Sequence, residues 1–251
     1  ALEGEFDEID IMIRQFQRMT TSLRTCARPV VIAPFSLTLG GGCEVTLHGD
    51  RVVAAAELYC GLVEGGVGLV PAGGGTKELY LRKLDALGPD ADPRKAARAA
   101  FEVIGMAKVS TSAHEARDLG FLRDRDVIAF NRDHLLQTAK DEALALAGSG
   151  YTPPALRQEI PVGGADTLAL VEVGLHNFHA GRYISDHDAL IGRKIGHILS
   201  GGAHKSGPNP RTVSEQQMLD LEREAFLSLC GERKSLERIQ HMLQKGKPLR
   251  N

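Results

Sequence analysis

The sequence predicts an α/β fold whose second half is helical, and three observations carry that prediction. Through the first half, short β-branched runs such as "VVIAPF" and "RVVAAA" alternate with stretches of helical periodicity. Glycine clusters at 40–42 and 73–75 stand at the joints where a strand would hand the chain to a helix. Beyond about residue 130 the pattern becomes helical and punctuated, which divides the 251 residues into an α/β part, 1–130, and a helical part, 131–251.

Each element has its own signal. Over 7–25, Ile9, Met12, Ile13, Phe16, Met19 and Leu23 recur at helical spacing with charges between them, the mark of an amphipathic helix. Pro29 then opens "VVIAPF", short, β-branched and nearly free of polar residues, as a buried parallel strand is. Directly off the turn at 40–42, "CEVTLHGD" begins a helix. "RVVAAA" and "ELYCGLVE" read as two further short strands, and a glycine turn leads into a helix through "TKELYLRKL". Downstream, Ser112 with Glu115 forms a capping box, and Gly120 marks that helix's end. "DHLLQTAKDEALALAG" and "ADTLALVEVGLHNFHAGRYI" are helices separated by the Pro-rich break "YTPPALRQEIPVGG". A second break, 200–212, precedes a helix capped by Ser214 with Gln217 and a last helix that runs to Gly246.

Thirty basic residues against 32 acidic give a net charge of -2. A protein that binds polyanions by neutralising phosphates needs a basic excess, so nucleic acid is not an expected partner. Cys26, Cys43, Cys60 and Cys230 form no CxxC pair, which reads as reduced thiols and gives no metal site. No apolar run reaches the roughly 20 residues that span a bilayer. The acidic opening "ALEGEFDEID" is opposite in charge to a targeting signal. A cytoplasmic chain without a membrane partner is the expectation.

Two glutamates, Glu44 and Glu64, stand among the glycines. A phosphate cradle is one reading. However, neither cluster fits GxGxxG with its acidic partner or GxxxxGK[ST], and "GGGTK" sets its lysine one place too late. Glycines at a strand-to-helix turn supply close backbone approach and free N–H groups at the positive end of a helix dipole, which stabilise an oxygen that becomes negative. Both glutamates are predicted at the loop end of the strand layer, where α/β folds gather their sites. Two carboxyls there act as an acid/base pair when one is ionised and the other kept protonated. On the opposite reading, Glu44 only satisfies a helix N-terminus and Glu64 is a solvated loop residue.

The pattern "GGGCE", a downstream Asp50, "VE" 20 residues after the first glutamate, then "VGLVPAGGGT" and a helix closely resembles the enoyl-CoA hydratase/isomerase (crotonase) superfamily. The resemblance is strong over 29–84, moderate through "MAKVSTSAHEARDLGFL" and weak afterwards. Within the superfamily the chain looks most like the crotonase-like C-terminal domain of bacterial 3-hydroxyacyl-CoA dehydrogenases. The resemblance implies a ClpP/crotonase-like spiral of ββα units with a helical C-terminal region, N-terminally incomplete because its early strands are missing. It also implies Glu44 and Glu64 as the catalytic pair, Gly41 as one N–H donor of an oxyanion hole, and Gly40, Gly42 and Gly68 as substrate-binding residues.

The reaction so implied is hydration of the α,β double bond of a 2-enoyl-CoA in fatty-acid β-oxidation, with Glu44 deprotonating water and Glu64 protonating the α carbon. Both glutamates being present favours hydration over double-bond migration, because isomerases of the superfamily typically keep only the residue matching Glu64. No cofactor is implied for hydration, and NAD enters only with an upstream dehydrogenase domain. An acyl-CoA thioester is the expected partner and a homo-oligomer, a trimer by the same resemblance, the expected assembly. The alternatives are a structural or oligomerisation module supporting the dehydrogenase, or another reaction on this fold, such as isomerisation or thioester hydrolysis.

Two departures stand out. Val63 occupies a position where a proline is common, and "HGD" at 48–50 replaces a more apolar run, adding His48 without assigning it a role. His176, His179 and His187 read as polar helix-face histidines rather than metal ligands. Met218, Leu221, Ala225 and Leu229 form a packing stripe.

Overall fold

The computed structural model describes residues 5–202 and 211–251, so most of the predicted break at 200–212 lies outside the described residues. The first helix, α1 (Phe6–Arg24), buries Ile13 together with two polar residues, Gln17 and Thr20. Both polar side chains tie α1 to a glycine-rich loop. Gln17 Nε2 donates to the carbonyl of Ala72 at 2.8 Å, and Thr20 Oγ1 donates to that of Gly73 at 2.8 Å.

Two successive ββα units follow. The first comprises β1 (Val31–Ile32), β2 (Leu37–Leu39) and α2 (Gly41–Leu47); the second, β3 (Arg51–Ala55), β4 (Tyr59–Gly61) and α3 (Gly75–Leu87). Corresponding strands pair in parallel, β1 with β3 and β2 with β4, because the intervening helix carries the chain back to start the next strand alongside the last. β5 (Val127–Ala129) joins the other edge of β3, giving a three-stranded sheet in the order β1-β3-β5. The predicted "VVIAPF" strand is shorter than expected, and β2, an element not expected from the sequence, follows beyond a break at Ser36, whose φ is 56°.

The sides of β3 face different partners, as its period of two requires. Val52 and Ala54 enter the main core, whereas Val53 and Ala55 pack with Leu135 and Ala139 of α6 (Leu135–Gly148). Around the strands lie α4 (Pro93–Ile104), α5 (Ala113–Leu119), α7 (Gly164–Ala180), α8 (Asp186–Leu199), α9 (Glu215–Cys230) and α10 (Arg233–Lys245). The Pro-rich break contains β6 (Ile160–Val162), antiparallel to β7 (Arg211–Val213). One apolar cluster runs from Leu47 and Val52 through Leu79 to Ile195, Met218 and Leu229, so the predicted α9 stripe packs within the chain.

Candidate active site

Parallel pairing of β2 with β4 brings the two glutamates to one place. Gly40 follows β2, Gly61 ends β4, and the Gly40 N–H donates to the Gly61 carbonyl at 2.9 Å. From this shared edge the chain leaves twice, once into α2 with Glu44 in its first turn and once into a 3₁₀ turn, Glu64–Val67. Glu64 thus begins a turn rather than closing a strand, as β4 stops at Gly61. Gly40 has φ 55° and ψ −123°, a conformation open in practice only to glycine. A Cβ there would lie 3.2 Å from Glu64 Oε1, so the Glu64 carboxyl rests against the turn that starts α2.

Glu44 is 3% exposed. Its Oε1 accepts the N–H groups of Gly73 at 2.7 Å and Gly75 at 2.8 Å, while Oε2 has no hydrogen bond among the described residues. A Cβ on Gly73 would lie 2.7 Å from Glu44 Oε2, and one on Gly75 would lie 2.8 Å from Oε1. The second glycine cluster therefore lets the backbone close on this side chain. Burial pushes the Glu44 carboxyl up to about 7, with the Gly75 and Gly73 N–H groups pulling the other way. Glu64 goes well above the ordinary carboxylate value, first through burial and then through the charge of Glu44, and its Oε2 is enclosed without a hydrogen-bond partner. Near neutrality this arrangement favours one ionised and one protonated carboxyl.

Gly41 and Gly42 open α2, where the first N–H groups have no acceptor within the helix. The Phe16 ring of α1 walls this space. It approaches Gly41 so closely that a Cβ there would lie 3.3 Å from Cζ, and a Cβ on Gly73 would collide with the ring. Gly68 is engaged differently: its φ is 86°, and its carbonyl accepts Ser235 Oγ of α10 at 2.5 Å. Phe16 was visible in the sequence only as one member of an apolar stripe.

His48 takes a supporting place behind Glu44. Its Nδ1 lies 2.7 Å from the Glu44 carbonyl, and because a carbonyl only accepts, Nδ1 carries the proton. Nε2 has no hydrogen bond and lies 3.7 Å from Glu78 Oε1, and burial lowers the imidazole to about 4, keeping it neutral. The lysine of "GGGTK", Lys77, is 1% exposed, and its ammonium is held by Glu78 at 2.5 Å and Glu215 at 2.8 Å. The N–H groups of Gly73, Gly74 and Gly75 are likewise all taken by glutamate carboxylates. Nothing in this loop is left for a phosphate.

His187 is not the polar helix-face histidine that the sequence suggests: it is buried and shares a 3.0 Å hydrogen bond with Ser235 Oγ. Among the described residues no group of histidines, cysteines and carboxylates could hold a metal ion, and no helix is long and apolar enough to cross a membrane. A cavity of about 500 Å³ opens at the far end of α2, but neither catalytic candidate lines it, and its Arg24, Arg123 and Arg157 are held by Glu78, Asp126 and Asp85.

Stacked ββα units with a carboxyl pair at the loop end of parallel strands define a hydratase-like crotonase fold. The comparisons agree. A probable 3-hydroxyacyl-CoA dehydrogenase of Bacillus subtilis is 47% identical over 249 residues, covering 99% of this chain and 31% of that protein. A Rickettsia felis protein named as a candidate fatty acid oxidation complex trifunctional enzyme is 26% identical, over 96% of this chain and 30% of its own length. The chain thus spans about a third of the length of these curated relatives. A solved enoyl-CoA hydratase from Mycobacterium avium subsp. paratuberculosis superposes with a TM-score of 0.54 at 16% identity, over 97% of this chain and 73% of that one. No protein-family model matches the chain. Its fold is that of the solved enoyl-CoA hydratases, and the curated relatives that match nearly the whole of this chain are named for 3-hydroxyacyl-CoA dehydrogenation and fatty acid oxidation.

Proposed function

We propose that this chain is the enoyl-CoA hydratase part of a longer cytoplasmic fatty-acid-oxidation polypeptide that also carries a 3-hydroxyacyl-CoA dehydrogenase. The observation that carries the reading is the pair of carboxyls, buried Glu44 and half-buried Glu64, whose proton affinities are both raised at the mouth of one glycine turn. Glu44, ionised, takes a proton from water on its unengaged Oε2 as the water oxygen bonds to the β carbon of the enoyl thioester. The double-bond electrons move toward the thioester carbonyl, whose oxygen accepts the Gly41 N–H. Glu64, protonated, delivers its proton to the α carbon, and the product is a 3-hydroxyacyl-CoA. Gly40, Gly42 and Phe16 border the acyl group, and Gly68 supports the turn that Glu64 begins. Loss of one oxyanion N–H costs on the order of 3 kcal/mol of transition-state stabilisation.

Hydration itself draws on no cofactor, and NAD belongs with the dehydrogenase portion. Exposed apolar side chains on α7, Leu170, Val173 and Phe178, support a homo-oligomer, a trimer in this proposal. Mass analysis of the product formed by the full polypeptide from a short trans-2-enoyl-CoA is expected to show the addition of one water, abolished by Glu64→Gln. A product of unchanged mass with a shifted double bond, or free CoA, would replace hydration by isomerisation or thioester hydrolysis.

A further inference from the structure

Glu222 is a buried carboxyl that the hydration chemistry does not use. It lies on α9, at 0% exposure, and reaches the same loop that holds Glu44. Its Oε2 accepts the Gly74 N–H at 2.7 Å and its Oε1 the Lys77 N–H at 2.7 Å. Glu44 takes the N–H groups of Gly73 and Gly75. Two carboxyls, one from α2 and one from α9, therefore divide the N–H groups of a single turn in alternation.

The rest of the loop is fastened to the same helix. Gln17 Nε2 bridges the carbonyls of Ala72 and Leu219, at 2.8 Å each, so α1 joins the residue before the turn to α9. Gly74, at φ 98°, lies against the His48 ring, whose Cε1 would stand 2.7 Å from a Cβ at that position, with Leu219 Cδ2 of α9 next at 3.4 Å. Burial, and then the charge of Glu44, raise the Glu222 carboxyl, whereas the Lys77 and Gly74 N–H groups and the Lys77 charge favour its ionised form, the one in which both oxygens accept. Geometry of this kind fixes where Gly73 and Gly75 stand, and they in turn fix which Glu44 oxygen is engaged.

We propose that Glu222 is a positioning residue for the hydration, clamping the 73–77 loop so that Glu44 Oε1 stays bonded and Oε2 stays presented to the substrate water. The inference rests on the reading of Glu44 as the base. Glu222→Gln sets an amide NH2 against one of the two N–H donors and frees the loop. In the full polypeptide the variant is expected to lose about a hundredfold in kcat, the scale of a small misplacement of a reacting group, with KM nearly unchanged. Amides 73–77 should exchange hydrogen faster while those of α4 and β3 do not. In a Glu44→Gln background the same substitution should cost nothing further. If Glu222→Gln does not fold, Glu222→Asp, which keeps the acid but withdraws its oxygens by one methylene, carries the same expectations.

Unchanged kcat, unchanged exchange at 73–77, or an equal loss of rate in the Glu44→Gln background would overturn the proposal. Should the parent polypeptide hydrate no enoyl-CoA, the hydratase reading fails on its own. The exchange pattern then decides the clamp, faster exchange confined to 73–77 supporting it and unchanged exchange refuting it.

Discussion

At the scale of single residues, the proposal turns on where two protons sit. Burial holds Glu44 protonated up to about 7, and only its ionised form can accept a proton from water. The hydration rate is thus expected to rise with pH through an apparent value near 7 and to fall away on the acid side. Burial and the charge of Glu44 raise Glu64 well above the ordinary carboxylate value, which favours its protonated, proton-donating form, and a decline on the alkaline side would report its ionisation. A profile of kcat/KM against pH checks this; an acid limb near the ordinary 4.5 would remove Glu44 as the base. Glu44 and Glu64 were legible in the sequence because each adjoins glycines at a predicted strand end. Glu222 was not, since within "LEREAF" it is one of several charges on an amphipathic helix and only the fold shows that it points inward. The role of His48 is hidden from the sequence for the same reason: its burial and its bond to the Glu44 carbonyl come from tertiary packing.

At the scale of elements, a buried charge cluster ties α1, α3 and α9 together. Lys77 and Glu78 come from α3, Glu215 from the first turn of α9, and Arg24 from α1, which meets Glu78 at 2.5 Å. Replacing Lys77 by Met would leave Glu78 and Glu215 enclosed without their shared ammonium, and breaking a buried pair in this way costs about 3–5 kcal/mol. Urea unfolding of Lys77→Met should show a loss of that size; a loss under about 1 kcal/mol, typical of an exposed pair, would mean that water reaches the cluster.

Local signals read the helices well. Ser214 and Gln217 form the reciprocal capping box that the sequence suggested. Ser112 caps the Glu115 N–H, whereas the Glu115 side chain turns to Thr111 instead, and Gly120 ends that helix in the left-handed conformation. In "ISDHDALIG" a further capping box, Ser185 with Asp188, opens α8. Strands were harder to read, because β1 and β2 have two and three residues, too few to establish a period of two.

At the scale of the whole molecule, the helical second half reaches into the site that the first half builds. The α/β reading of the first half was available from alternating strand and helix signals, and the parallel register of β2 with β4 explains why residues 20 apart in the chain share one edge. What the sequence could not supply is the route by which α9 returns to the glycine loop, since no local pattern links residue 222 to residue 74. That return makes the catalytic proposal a property of the full fold rather than of a motif. The most direct measurement is the initial loss of enoyl-thioester absorbance when a short trans-2-enoyl-CoA is added to the full polypeptide and to its Glu44→Gln variant. The account predicts turnover by the first and its collapse in the second. No turnover by the full polypeptide, or equal turnover by both, would contradict it.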